Sequence, residues 1–151
     1  MALLTEEHRR WIGQESAPIT VEVSRREIVK YALATEQRLP KYLNGDEAPP
    51  MFVFNLFGAL RPPSELRADG LARGAREGPA LPLKRVMAGG TELIQVRPIA
   101  AGDRLTATSR LTDLYEKSGS QGPLIFSLVS MRVVDARGEL VLEEIQTAIA
   151  R

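Results

Sequence analysis

The sequence predicts an α+β fold in which an antiparallel sheet wraps around a central apolar helix. Three observations carry that expectation. The C-terminal half reads as a succession of long strands joined by Gly-containing turns. Met51 to Leu60 is far more apolar than the rest of the chain. A sheet must cover its apolar face, and that segment is the strongly apolar helix candidate at hand, so the economical arrangement puts it inside the sheet. The 151 residues fit one domain, taken as 1–151, because single cores run to about 100–200 residues.

Each element follows in order. Thr5 to Ile12 reads as a short helix with Thr5 as its cap, Leu3, Leu4, Trp11 and Ile12 as anchors, and Gly13 as its end. Ile19, Val21 and Val23 alternate with Thr20 and Glu22, the period-two pattern of a half-buried strand. Ser24-Arg25-Arg26-Glu27 is a capping box, in which hydroxyl and carboxylate each satisfy a backbone N–H left free at a helix start. The helix it opens places Ile28, Tyr31, Ala32 and Thr35 on one face. From Glu36 to Pro50 the chain is polar and carries Pro40, Gly45, Asp46, Pro49 and Pro50, which favours a loop. Met51 to Leu60 is read as helix because Pro50 suits a first helical position and Arg61-Pro62-Pro63 supplies a stop. Residues 64–82 lack periodicity and read as loop. Beyond them lie strand-like stretches at 83–89, 91–99, 104–117, 123–135 and 139–150, with turns at Ala101-Gly102-Asp103, Ser118 to Gly122 and Ala136-Arg137-Gly138. That arrangement is a hot-dog fold.

Composition closes several routes. The chain has no cysteine and one histidine, His8. Disulfides, thiolate nucleophiles and Cys-based metal sites are excluded, and multi-histidine metal sites with them. A nucleophile–histidine mechanism would have to run through His8, in a polar N-terminal segment. Acid–base chemistry therefore falls to carboxylates, Tyr, Lys or a partner's residues. Lys and Arg total 20 against 19 Asp and Glu with both signs interspersed, so no field for nucleic acid stands out. No apolar stretch approaches the ~20 residues of a membrane span, and the start has no signal-peptide core. A cytoplasmic protein with neither membrane nor nucleic-acid partner is expected.

Five stretches in order, SRREIVKYALAT (24–35), APPMF (48–52), RPIAAGDRL (97–105), DLYEKSG (113–119) and GPLIF (122–126), resemble the N-terminal MaoC-like dehydratase domain. The resemblance runs from Trp11 to the C-terminus. It implies a hydro-lyase of fatty acid metabolism, acting on enoyl thioesters of coenzyme A or acyl carrier protein, with the thioester carrier in place of a cofactor. Catalytic members carry G-D-x-N-P-[LIV]-H after the first helix, where Asp and His flank the water that adds to the double bond. Aligned with one extra residue, Glu36 falls at the Asp, Arg38 at the Asn and Tyr42 at the His, and Pro40 is kept. A phenol, with a reference pKa of ~10, is a poor proton shuttle near neutrality. No residue is thus assigned as catalytic, and no metal site is expected.

The resemblance further implies that backbone N–H groups at the start of the apolar helix polarise the acyl carbonyl, which places Met51 and Phe52, with Asn55, as substrate-binding residues. Arg38, Lys84, Arg85, Arg97 and Arg104 serve either the phosphates of a pantetheine carrier or surface solubility. Because the family splits labour between a catalytic hot-dog subunit and a degenerate one, the chain is expected to be the non-catalytic, substrate-holding subunit of a heteromeric hydratase. It would form a heterodimer with a catalytic MaoC-like subunit, or a homodimer. Two alternatives stay open: a stand-alone hydratase or thioesterase using a carboxylate such as Glu36, Asp46 or Asp103, and an acyl-thioester-binding module without enzyme partner.

Overall fold

Five strands build one antiparallel sheet in the order β1-β3-β4-β5-β2. They are β1 (Ile19–Glu22), β2 (Val86–Gln95), β3 (Arg104–Gly119), β4 (Gly122–Val134) and β5 (Leu140–Ala150). The computed structural model describes residues 2–54, 56–58, 60–68, 70 and 78–151. β3 and β4 form the longest hairpin, closed by Ser120 and Gln121 between the paired Gly119 and Gly122. The two stretches read from sequence as separate strands on either side of Gly90 join, over Val86–Gln95, in one strand, β2, with a register shift between Ala88 and Gly90. Gly89 permits it, because a Cβ there would lie 2.9 Å from Thr147 Cγ2.

The helices are α1 (Glu6–Arg9), α2 (Arg25–Ala34) and α3 (Pro40–Leu43). α2 starts as its capping box requires: Glu27 N–H donates to Ser24 Oγ, and Ser24 N–H donates to Glu27 Oε2. Its inward face carries Ile28, fully buried, a burial typically stabilising by about 1.5–3 kcal/mol. Ile28 joins Val23, Leu105, Ala107, Val133 and Leu142 in the main core cluster. No helix among the described residues is long and apolar enough to cross a membrane.

The expected central helix over 51–60 is corrected. Pro50–Val53 makes one 3₁₀ turn, and Phe54 follows in extended conformation with ψ 120°. Phe, Val, Asn and Gly are poor helix formers, and no side chain caps the start, so little but the Pro pair favours an α-helix here. Phe52, Val53 and Phe57 nevertheless join the main cluster, so the described residues of this segment cover the sheet without forming an α-helix. Met51 and Phe54 point outward and are over 40% exposed.

A second cluster covers the other end of the same face. Leu4 packs with Leu111, Leu114, Ile125 and Ala150, flanked by Leu3, Leu81 and Leu83. The N–H groups of Leu3 and Leu4 both donate to the Glu116 carboxylate, at 3.1 and 2.7 Å. The N-terminal arm is thus tied down by one carboxylate and two leucines, while Trp11 and Ile12, expected as anchors, stay 37% exposed.

Candidate functional site

The loop after α2 is the segment on which sequence reading placed the candidate residues. It is stitched at three points. Arg25 Nη1 donates to Asn44 O and Asp46 Oδ1, both at 2.7 Å. Lys41 Nζ reaches Glu47 Oε2 at 2.7 Å. Ala48 N–H donates to Ile99 O at 2.8 Å, beside a bridge between Glu47 and Ala100. Gly45, at φ +71°, lies under Arg25, and a Cβ there would sit 2.7 Å from Arg25 Cγ.

The far side of that stitching is equally fixed. Arg97 donates to both carboxylate oxygens of Asp103, at 2.8 and 3.2 Å, and lies 3.5 Å from Asp135. Asp103 also accepts Ala100 N–H. Asp103, whose hydrogen bond and charge also hold the guanidinium further above its usual range, therefore occupies Arg97. The two line an open depression of about 290 Å³ with Arg104, Asp135 and Arg137. Asp46 is likewise spoken for by Arg25.

α2 ends at a specific geometry. Gln37 N–H donates to Ala32 O and Glu36 N–H to Leu33 O, the paired bonds of a Schellman motif. Glu36 occupies the position past the cap at φ 53°, the one non-glycine residue with positive φ among the described residues. Glu36 and Arg38 are exposed, whereas Gln37 and Tyr42 are half-buried. Pro40 opens α3 at its first turn.

Of the expected substrate-binding residues, Phe52 is buried in the core with its ring edge-on to Tyr31 at 5.5 Å. Its N–H donates to Pro49 O within the 3₁₀ turn, so it is not a free donor at a helix end. Met51 lies on the surface and Asn55 is outside the described residues. Lys84 Nζ donates to Leu81 O, and the backbone of Arg85 pairs with that of Arg151. His8 is used locally: Thr5 N–H donates to its Nδ1, and Nε2 faces Ala80 O at 3.2 Å. Sequence reading passed over Glu144, which is 2% exposed on β5. The signal was present in the adjacent Glu143-Glu144, since neighbouring strand residues face opposite sides and one of the two must turn inward.

The sheet with α2 and the 3₁₀ turn laid on one face defines a hot-dog domain of the MaoC-like dehydratase class. The chain belongs to the family described as FAS1-like, dehydratase domain region, with residues 10–144 matched. It is similar to a UPF0336 protein of Streptomyces griseus subsp. griseus, 32% identical over 155 residues, with 93% of each chain covered. Among solved structures it resembles the HadBC (3R-hydroxyacyl-ACP dehydratase) complex of Mycobacterium tuberculosis, at TM-score 0.68 and 18% identity, covering 93% of this chain and 97% of that one. It also resembles the ChsH1-ChsH2 complex of Mycobacterium tuberculosis, at TM-score 0.66 and 16% identity, covering 90% of this chain and 83% of that one. At such identities the structural likeness speaks for the fold.

Proposed function

We propose that this chain is the non-catalytic, substrate-holding subunit of a heteromeric MaoC-like hydratase or dehydratase acting on enoyl thioesters of coenzyme A or acyl carrier protein. One observation carries the reading: the loop after α2 holds no carboxylate–imidazole pair. Glu36 has the left-handed backbone that a glycine adopts without strain. Counted from Glu36 as the glycine of G-D-x-N-P-[LIV]-H, the motif needs no inserted residue. Gln37 then stands at the Asp, Leu39 at the Asn, Pro40 at the Pro and Tyr42 at the His. The half-burial of Gln37 and Tyr42, against the exposure of Glu36 and Arg38, supports this register over the one placing Glu36 at the Asp. An amide and a phenol hydrogen-bond a ligand, but they do not form the proton relay that hydration needs.

The partner is a second hot-dog subunit that brings the Asp/His pair, and β2 is where it pairs. β2 is an edge strand of ten residues, almost all exposed, and Val86, Met87, Ile94 and, just beyond it, Val96 are each at least 40% exposed. An unpaired apolar edge of this kind is a template for another strand. Two structurally similar proteins, HadBC and ChsH1-ChsH2, being heteromeric complexes supports the same assembly.

The test is direct. The chain purified alone should not hydrate crotonyl-CoA or longer enoyl-CoAs, and activity should appear when a hot-dog chain with the intact motif is added. Ile94→Lys should prevent that complex from forming in size-exclusion chromatography. Robust turnover by the chain alone would overturn the proposal.

A further inference from the structure

The outer face of the sheet, opposite the one that carries both core clusters, is apolar where a solvated face would be polar. Strand alternation puts Phe126, Leu128 and Val134 of β4 and Ile145 and Ile149 of β5 on the outside. All five are half-buried, and none belongs to either core cluster. An antiparallel sheet whose second face meets water alternates apolar and polar residues, and here β4 and β5 break that pattern.

On that face lies a depression of about 230 Å³ whose charges are unpaired; Glu15, Arg110, Arg132 and Glu143 line it. Arg132 stands opposite Glu143 in the register of β4 and β5, and Arg110 opposite Glu15 in an isolated bridge. Cross-strand neighbours of opposite charge attract, but none of the four makes an ion pair among the described residues. Glu143, the outward member of the Glu143-Glu144 pair, instead accepts the hydroxyl of the buried Ser130 at 2.5 Å. Arg110 and Arg132 are exposed, so both guanidinium groups are left for carboxylates from outside the chain.

Two arginines and two glutamates in one depression sum to no net charge, which draws in neither a polyanion nor a polycation. Such a surface is complementary to itself, because a two-fold axis brings the arginines of one copy onto the glutamates of another. The neighbouring side chains suit that use, since interfaces are enriched in aromatic residues and Arg. Tyr115 and Phe126 stack along the same face with ring centroids 5.0 Å apart. We infer that two copies of this chain pack sheet to sheet through their outer faces, Arg132 of each copy pairing with Glu143 of the other. This face differs from the free backbone of the β2 edge, so an assembly with a catalytic subunit at β2 holds two of each chain.

The experiment is sedimentation equilibrium of the full-length chain alone at micromolar concentrations, with circular dichroism to check that each variant is folded. The wild type should be a dimer. Arg132→Glu and Glu143→Arg should each weaken the dimer by roughly a hundredfold or more, because each sets like charges against one another across the two-fold. Mixed together, the two variants should form a dimer again, since every glutamate then meets an arginine. Pairing through the β2 edge would show neither the loss nor the rescue. A monomeric wild type, a dimer that the variants keep, or folded variants that stay apart when mixed would overturn the proposal. Arg132→Glu decides alone if Glu143→Arg fails to fold, since an unchanged dimer would be the refuting result. The enoyl-CoA assay reads the substrate-holding proposal separately.

Discussion

Replacing Glu36 by glycine should stabilise the protein. Glu36 holds φ 53° at the end of α2, locked there by the bonds from its own N–H to Leu33 O and from Gln37 N–H to Ala32 O. For a residue with a Cβ this conformation costs roughly 1–2 kcal/mol. Glycine removes that strain but adds about 0.4–1 kcal/mol of unfolded-state entropy. The net expectation is a gain of about 1 kcal/mol, since the side chain is exposed and makes no hydrogen bond to lose. For a domain of this size that gain corresponds to a rise in Tm of about 2–4 °C. Glu36→Ala is the control: it keeps the Cβ and should change Tm by much less than the glycine. Urea melts of wild type and both variants, with equal m-values, give the comparison. A glycine variant no more stable than the alanine one would refute the strain argument, and with it the case for reading the motif from Glu36.

Three further outcomes follow from local geometry. Ser24→Ala should cost about 1 kcal/mol in urea melts, because it deletes the acceptor of Glu27 N–H and the partner of Glu27 in the capping box. Gly45→Ala should cost roughly 2 kcal/mol or more, since it adds a Cβ at φ +71° within 2.9 Å of Arg25 O; a cost near zero would mean that the loop is not packed on α2 as described. The N–H groups of Leu3 and Leu4 hold the Glu116 carboxyl below its usual 4.5, aided by Arg9. A lowered folded-state pKa adds stability above the unfolded value and loses it as pH falls through the folded one. The N-terminal arm should therefore be protected above about pH 4.5 and released on further acidification. In Glu116→Gln, amide exchange at Leu3 and Leu4 should already be fast at neutral pH.

The elements governed by local rules were legible in the sequence. The alternation of Ile19, Val21 and Val23, the Ser24 to Glu27 capping box and the Gly-containing turns each state a backbone preference within a few residues. The segment after Pro50 was not legible, because an apolar run of ten residues fits several covers and the packing partner decides among them. The backbone role of Glu36 was hidden for a different reason. Its importance lies in a backbone angle, and a glutamate at a position past a helix end gives no sign of φ 53°. The acidic residues of the loops were equally opaque: Asp46 after α2 and Asp103 before β3 look free in sequence, yet their arginine partners, Arg25 and Arg97, decide what they do.

Among the described residues, the lack of an α-helix after Pro50 and the polar row on the sheet are linked. A continuous apolar helix laid over this face would set apolar side chains against the polar groups of Ser109, Glu144 and Gln146 and would bring no donor to the carboxyl beyond the one from Gln146. The chain instead covers the face in two patches. Ile28, Phe52, Val53 and Phe57 lie in one cluster, Leu4 with Leu81 and Leu83 in the other, and the polar row falls between them. Pro49-Pro50 and the helix-poor residues after them, some ninety positions before Glu144 in the chain, thus agree with the strand they face. Such agreement between distant segments is what a sequence shows when it specifies a structure, whereas a segment merely losing helicity would leave an apolar strand behind.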